Sequence, residues 1–386
     1  MYVRVVETTE GFARLRDGWD DLLARSGVEN PYLSHAWLLS WWEAYAGPYD
    51  RLTIVCCFQE GSDSLVGILP LRAWSTSGLL SRRRLGYLGA AQVGPGCIAD
   101  PDVAEAVFDE MALYVVSTRD DWDVLSLQNV DADSLFLERL LARFDPSGRR
   151  ALRTTPGCPR VKLPDTWQAF GQTLSKHQRA GIRWRRNRLQ SMGEVEIGCV
   201  ETAGQLREAL QDVARLFEHS MRRKFDRPFE VSDRYLRLVT VASERFLALG
   251  WLRLLFLKVD GEPVAFVYQL RHGSTMFAFQ TGFATEWETH GVGMLAYGYA
   301  LQAAIEEGCR AYDFGIGRAE YKEQWGAQGV RPLCDLGLYG RSRVAHATSA
   351  RDNAVRWIMR TLKPLVPASV RARRTREASW RDLQSF

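Results

Sequence analysis

The residues of this chain best suited to chemistry lie between positions 310 and 326, in the sequence RAYDFGIGRAEYKEQWG. An apolar run from Ala311 to Ile316 contains one carboxylate, Asp313, and a polar turn follows it. A strand that is buried on both faces is a nearly continuous apolar run, and a charge inside it is costly unless it is paired. Ligands of open α/β sheets bind at strand ends. We therefore expect acid–base chemistry here, with the polar side chains Arg318, Glu320, Tyr321 and Lys322 of the turn close to Asp313.

Length and composition indicate an ordinary globular protein. The chain has 386 residues, 46% hydrophobic and 25% charged, with a net charge of +4, so it has room for two domains. No run approaches the roughly 20 apolar residues of a membrane helix, and the first ten residues lack the pattern of a secretory signal. Seven cysteines show no metal-ligand spacing, and their odd number favours reduced thiols. We expect a cytoplasmic protein without a metal.

A hairpin pattern occurs twice, 200 residues apart. Leu52–Arg72 and Leu252–Arg271 each contain an apolar strand, a turn and a second apolar strand ending in Leu-Arg. Asp-Gly between apolar runs, as in the second copy, is a strong hairpin signal. Each hairpin is followed by a glycine-containing stretch, a helix and another strand. The order predicts an α/β (mixed α+β) fold with two related lobes, each a mixed sheet flanked by helices; chance similarity of two hairpins is the alternative.

A cluster of prolines and a glycine between 155 and 168 marks the expected domain boundary. We predict an N-terminal lobe over 1–160, which we expect to be non-catalytic, and a second lobe over 166–345 that carries the activity. The residues from 346 to 386 are predicted to form a basic helical tail.

A predicted helix from Thr173 to Met192 is unusually basic. Six of its side chains are cationic: Lys176, Arg179, Arg183, Arg185, Arg186 and Arg188. They cannot all share one face of an α-helix. Two interpretations stay open, a solvated helix and an electrostatic platform for an anionic substrate, a phosphate or RNA.

The second lobe resembles the acetyltransferase domain of the GNAT superfamily, and more narrowly the branch found in cellulose and exopolysaccharide biosynthesis, which is related to the Fem-type peptidyltransferases. The resemblance spans roughly Trp167 to Gly326. It rests on SKHQRAGIRWRRNRL, LLFLKVDGEPVAFVYQL, GVGMLAYGYALQAAIEEG and YDFGIGRAEYKEQWG, in this order and spacing. It implies tandem GNAT-like lobes and an acyl-CoA donor, bound between two parallel strands.

The resemblance also implies a donor pyrophosphate site where the next helix begins, because its free N–H groups and dipole favour anions. The superfamily pattern there is Gln or Arg, two residues, Gly, any residue, and Gly or Ala. Gly291, Val292 and Gly293 match it as cofactor-binding residues, while Glu288 stands at the Gln or Arg position. The alternative is a helix start that needs glycines only for close packing.

Acyl transfer to an amine needs a base, an oxyanion stabiliser and an acid for the leaving thiolate. The resemblance assigns the acid to Tyr321 and the base to Asp313 or Glu320. Lys322 would pair with Asp313, stabilise the oxyanion or hold a substrate phosphate. Asp313 would alternatively form a structural ion pair with Lys322 or Arg318. Three side chains are predicted to bind substrate: Tyr268, Gln280 and Arg318.

The predicted function is N-acyltransfer, with acetyl as the expected group, from acyl-CoA to an amine on a sugar, amino acid or cell-envelope precursor. One alternative is a Fem-type transferase that uses aminoacyl-tRNA, which the basic helix and Glu288 favour. Another is a catalytically inactive scaffold in a polysaccharide-synthesis assembly. The six histidines are scattered and form no i, i+4 pair, so we predict no metal.

Overall fold

A computed structural model describes residues 1–76, 81–89, 94–144, 149–317, 319–327 and 329–362 of the chain. Contacts between residues divide it into two compact units. The first contains Met1–Val28, Tyr32–Thr155 and the chain from Pro332 onward, and the second contains Glu29–Pro31 and Pro156–Arg331.

The strands of the described residues follow in chain order: β1 Tyr2–Val6, β2 Asp50–Phe58, β3 Leu65–Ser75, β4 Arg83–Tyr87, β5 Ile98–Ala99, β6 Val124–Asp131, β7 Arg150–Lys162, β8 Val195–Cys199, β9 Leu252–Val259, β10 Glu262–His272, β11 Thr275–Phe283, β12 Ala311–Asp313 and β13 Gly329–Tyr339.

The α-helices are α1 Thr9–Arg14, α2 Arg16–Arg25, α3 His35–Tyr45, α4 Ala104–Ser117, α5 Leu135–Arg143, α6 Trp167–Thr173, α7 Lys176–Gln190, α8 Ala203–Phe225, α9 Asp233–Ala248, α10 Val292–Glu306, α11 Glu320–Gln324 and α12 Arg343–Leu362. Short 3-10 helices cover Pro31–Leu33, Pro101–Val103 and Thr285–His290.

The two units have the same strand order and the same strand directions. The sheet of the first unit runs β1-β2-β3-β4-β6-β13, and that of the second runs β8-β9-β10-β11-β12-β7. In each, the first three neighbouring pairs are antiparallel, the fourth pair is parallel and the last is antiparallel. The predicted fold class, two related lobes of mixed sheet and helices, is confirmed, and the two hairpins occupy equivalent places.

The residues from 332 to 345 do not follow the predicted boundary. Leu333–Tyr339 of β13 pair with Asp131–Val124 of β6, so this segment belongs to the first unit and not to the lobe predicted over 166–345. An apolar strand pattern in the sequence indicates that a segment is buried, but it does not indicate which sheet the strand joins. The predicted basic tail begins within α12, and its residues from 363 to 386 lie outside the described part of the chain.

Both faces of the sheet in the second unit carry buried side chains, because successive residues of a strand point to opposite faces. Ala265 and Val267 of β10 belong to the core that contains α10, while Tyr268, which points to the opposite face, bonds with Ser243 of α9. The β9–β10 turn confirms its sequence signal, since Asp260 and Gly261 have φ of 51° and 82°, as a type I′ turn requires.

Among the described residues, no helix is both long and apolar enough to cross a membrane. All seven cysteines lie in this described part, and each of them is a free thiol.

Candidate active site

A gap opens between two parallel strands of the second unit. β11 and β12 pair at only three positions, from Thr275↔Ala311 to Phe277↔Asp313. After Asp313 the chain turns towards β7, where the amide N–H of Phe314 donates to the carbonyl oxygen of Pro159 at 3.0 Å. β11 continues to Phe283, so the two strands diverge. Beyond Phe277 the edge of β11 has no strand partner among the described residues, and at its end Ser220 of α8 bonds to both the N–H and the carbonyl oxygen of Phe283.

A bulge in β11 lies at the start of this gap. The register with β10 passes from Gln269↔Ala278 to Tyr268↔Gln280, so Phe279 is an extra residue in β11. Bulges bend a strand and are common next to active sites. Here the bulged residue lies two residues beyond the last pair with β12, where the two strands diverge.

Asp313 is held by an arginine that the sequence analysis did not identify. Its carboxylate accepts a hydrogen bond from Nε of Arg160 at 2.6 Å and one from the amide N–H of Gly315 at 2.8 Å. Arg160 lies directly opposite Asp313 in the β7–β12 register. The expected pair with Lys322 is wrong, because that ammonium bonds elsewhere, and Arg318 lies outside the described residues. Asp313 is 3% exposed, as expected for a structural ion pair.

Lys322 fastens the turn that follows β12. Its side chain is buried, and Nζ donates to three backbone carbonyl oxygens: Gly315 at 3.0 Å, Ile316 at 3.3 Å and Gly317 at 2.9 Å. Burial lowers the pKa of Lys322 to about 8. These bonds explain how a turn with two glycines at positive φ, Gly315 and Gly317, keeps one conformation.

Tyr321, the predicted acid, forms a pair with a second tyrosine. The hydroxyls of Tyr321 and Tyr297 are 3.3 Å apart, and the two rings stack with centroids 5.0 Å apart. Burial raises the pKa of Tyr321, and the hydrogen bond from Tyr297 acts in the opposite direction. Tyr297 lies in the apolar helix α10 and is buried. Nothing in that helical pattern distinguishes it from packing residues.

The other predicted site residues have different surroundings. Glu320 is exposed at the first position of α11 and accepts a hydrogen bond from Gln324. Tyr268 is 1% exposed and bonds to Ser243, so the structure gives it a packing environment. Gln280 is half-buried, and its Oε1 has no hydrogen-bond partner in the described part of the chain.

The predicted pyrophosphate segment lies at the end of β11. The 3-10 helix Thr285–His290 leads to Gly291, whose φ is +68°, and α10 begins at Val292 without a side-chain cap. A Cβ at Gly293 would lie 3.3 Å from the ring of Phe283, and one at Gly291 would lie 2.6 Å from Cδ of Arg185. The two glycines therefore allow close packing at the helix start, where Gly291 contacts the side chain of Arg185 and Gly293 lies against Phe283, so that α7 places a guanidinium group beside the first turn of α10.

Glu288 does not present an unpaired charge at this helix start. One of its carboxylate oxygens lies 2.7 Å from Nε of Arg223, at the end of α8. Both side chains are largely exposed, so the pair adds little stability. It does offset the negative charge of Glu288, which would otherwise repel a phosphate bound at this helix start.

The corresponding strand end of the first unit is filled. β4 ends at Tyr87, and a Cβ at Gly89 would lie 2.8 Å from Cδ2 of Leu38. Leu38 and Trp37 lie in the first turn of α3, which Ser34 caps. Both side chains thus pack at the strand end that corresponds to the gap of the second unit. Residues 90–93 of this loop lie outside the described part of the chain.

Comparison with known proteins agrees with this geometry. Residues 176–323 match the family described as an acetyltransferase (GNAT) domain. The match runs from α7 through α11, so it includes the basic helix, the gap between the strands and Tyr321. A search of curated proteins finds none that matches this chain.

Solved structures resemble the chain over most of its length. FemX has a TM-score of 0.58 at 9% identity, with 87% of this chain and 97% of FemX covered. A conserved protein of unknown function from Bacteroides thetaiotaomicron VPI-5482 has a TM-score of 0.55 at 14% identity, covering 88% and 100%. The C-terminal domain of a putative lysylphosphatidylglycerol synthetase from Agrobacterium fabrum has a TM-score of 0.53 at 11% identity, covering 87% and 95%. At these identities the likeness concerns the fold.

Proposed function

We propose that the GNAT domain of the second unit transfers an acyl group, with acetyl as the expected group, from acyl-CoA to an amine. The gap between β11 and β12 carries this proposal, because it leads at one end to an uncapped helix start and belongs to the same unit as the partly buried phenol of Tyr321. We expect an extended thioester donor to lie along this gap. Its amide groups would bond to the backbone of β11 between Phe277 and Phe283, and its pyrophosphate would lie at the first N–H groups of α10.

Arg185 is the side chain we expect to assist the donor phosphates. It is the basic residue of α7 that reaches Gly291, and a guanidinium group binds phosphate with two hydrogen bonds. The Glu288–Arg223 ion pair removes the charge objection that favoured an aminoacyl-tRNA donor. We therefore put acyl-CoA first.

The reaction we propose starts with attack of a neutral amine nitrogen on the thioester carbon. The tetrahedral intermediate collapses as the C–S bond breaks, and Tyr321 gives its proton to the leaving thiolate. Glu320, being exposed and unpaired with any cation among the described residues, is the better base for the ammonium proton. Asp313 and Lys322 hold the backbone of the turn, and the free Oε1 of Gln280 is available to an acceptor N–H.

The acceptor we propose is an amine on a sugar, amino acid or cell-envelope precursor. The proposal that this acceptor belongs to polysaccharide biosynthesis rests on the sequence resemblance alone. In the competing scaffold hypothesis the gap would be present and would bind no donor.

Isothermal titration calorimetry with acetyl-CoA tests the donor directly. Gly293→Val should weaken binding by about tenfold or more, because its side chain would occupy the helix start. Gly198→Val is the matched control, since Gly198 lies in β8 with open space around it. Arg185→Gln should weaken binding by about tenfold, whereas Arg183→Gln, on the outer side of the same helix, should not.

Two results would overturn the proposal. If the wild-type protein binds no acyl-CoA of any chain length, the donor is not a CoA thioester or the domain is inactive. If Gly293→Val folds and binds acetyl-CoA as well as Gly198→Val does, the donor lies elsewhere. Release of free CoA in the presence of a panel of amino sugars and amino acids would then identify the acceptor class.

A further inference from the structure

The outward side of α7 forms a cationic surface that the proposed reaction does not use. We define the α7 surface as Lys176, Arg179, Arg183, Trp184, Arg186 and Arg188, all of which are exposed. The inward side of the helix is anchored separately. Leu189 is buried, Ile182 packs on the core, and Gln178 donates to the backbone of Gln324. The donor-facing Arg185 is only half-exposed.

The positive charge of this surface is not compensated locally. The helix sequence KHQRAGIRWRRNRLQ contains no acidic residue. In the described residues, none of its five exposed cations takes part in a salt bridge. The net charge of the whole chain is only +4, so these five cations are a marked local concentration. A potential of this kind attracts anionic surfaces.

Large apolar side chains are exposed on the same helix and in the segment that follows it in the chain. Trp184 is 54% exposed, and the guanidinium group of Arg188 lies 5.1 Å from its ring centre. Met192, two residues beyond the helix, is 45% exposed, and Ile197, in the edge strand β8, is 41% exposed. Such side chains lose contact with water if this surface enters an apolar boundary.

We infer that the α7 surface docks the protein on a membrane surface rich in anionic lipid. Basic residues near such a surface are attracted to the headgroups, and tryptophan favours the boundary between headgroups and acyl chains. The inference does not depend on the proposed acyl transfer. It requires only peripheral contact, with no segment that crosses the bilayer.

RNA would meet the same charges, but the apolar residues favour lipid. Proteins that bind single strands stack bases on open aromatic faces, and Arg188 covers one face of the Trp184 ring. The thioether of Met192 and the alkyl chain of Ile197 offer RNA no hydrogen bond, whereas both can be buried at a lipid boundary.

Cosedimentation with vesicles tests the inference on the full chain. Vesicles of phosphatidylglycerol and phosphatidylcholine in equal parts should bind the protein, and vesicles of phosphatidylcholine alone should bind it at least about tenfold more weakly. Raising the salt from about 50 mM to about 500 mM should release it, because the Debye length falls severalfold.

Charge and apolar contributions can be separated by variants. Lys176→Gln with Arg183→Gln should reduce partitioning about 25-fold, at about fivefold for each basic residue. Arg234→Gln with Arg237→Gln is the matched control, because both lie exposed on α9. Trp184→Ala should reduce partitioning about fivefold, and Leu236→Ala, which removes a 38% exposed side chain between the two control arginines, should not.

Several outcomes would overturn the inference. Equal binding to both vesicle types, or an equal loss in the α7 and α9 charge variants, would show that α7 is an ordinary solvated surface. If a transfer RNA binds more tightly than the anionic vesicles, displaces them and loses affinity in the Lys176/Arg183 variant, the surface is a nucleic-acid site and the lipid inference is wrong.

Discussion

Replacement of Lys322 by methionine tests how the turn after β12 is held. The Lys322 side chain is 5% exposed and bonds to the carbonyl oxygens of three consecutive residues, Gly315 to Gly317. Methionine has a similar length and apolar stem but donates no hydrogen bond. The variant therefore removes a buried charge and three hydrogen bonds while it keeps most of the packing.

The effect should depend on pH in a direction that the burial of Lys322 fixes. Its pKa falls from 10.5 to about 8 on folding. Between these values the unfolded chain carries the proton and the folded chain does not. The unfolded state then binds more protons, so the free energy of unfolding of the wild-type protein rises with pH.

The expected size follows from the difference between these two pKa values. The folded protein carries a penalty of about 3 kcal/mol for its buried ammonium near pH 7, and this falls to about 1 kcal/mol near pH 9.5. Relative to Lys322→Met, which has no such penalty, the wild-type protein should gain about 2 kcal/mol over this range. The three lost hydrogen bonds add a destabilisation of the variant, at about 1.5 kcal/mol each.

Urea unfolding followed by circular dichroism at about pH 7, 8, 9 and 9.5 would measure the difference. Other lysines, tyrosines and cysteines titrate in both proteins, so only the difference between wild type and variant is used. A difference that stays constant within about 0.5 kcal/mol would refute the reasoning, since it would show that the Lys322 amine does not lose its proton in this range.

Three further outcomes are expected. Asp313→Asn should lower the free energy of unfolding by about 2–4 kcal/mol, less than for a fully buried pair because Arg160 is one-third exposed; a change below about 0.5 kcal/mol in urea unfolding would contradict this. Tyr321→Phe should slow turnover by about 10²- to 10⁴-fold with donor affinity unchanged, and full activity would remove Tyr321 from the mechanism. Glu29→Gln should cost about 1–3 kcal/mol at neutral pH, and the loss should disappear on acidification. Burial raises the pKa of Glu29, but hydrogen bonds from Thr275 and Ser274 lower it overall below 4.5, so its contribution is lost as pH falls through the folded-state value.

Local signals in the sequence account for much of the second unit. Asp260-Gly261 is a hairpin turn because both residues tolerate positive φ, and Ser175 begins α7 with the reciprocal capping bonds to Gln178 that its spacing allows. The carboxylate in the apolar run at 311–316 was correctly expected to need a partner. Each of these features depends on residues that are close in the chain.

The missed features depend on residues that are far apart. Arg160 and Asp313 are separated by 153 positions, and only the antiparallel register of β7 with β12 brings them together. Arg185 reaches Gly291 because α7 packs beside α10. Tyr297 follows an apolar helical pattern, and its hydroxyl gains significance only through the neighbouring Tyr321. Hydrophobic periodicity and secondary-structure propensity describe neighbouring residues, so they cannot show which distant residues come into contact.

The two units differ in the side chains that lie at the ends of two equivalent strands, β4 in the first unit and β11 in the second. Both sheets place a strand, a glycine-containing loop and a helix in the same order, so the fold offers each unit a similar strand end. In the first unit Leu38 and Trp37 pack against Gly89, and a bulky ligand would have to displace this buried apolar contact. In the second unit Gly291 contacts the cationic Arg185 side chain, and β12 stops after three residues, so that β11 has no strand partner beyond Phe277 among the described residues. This difference among the described residues is why we propose the second unit, and not the first, as the one that binds the donor, although the sequence shows the same hairpin in both.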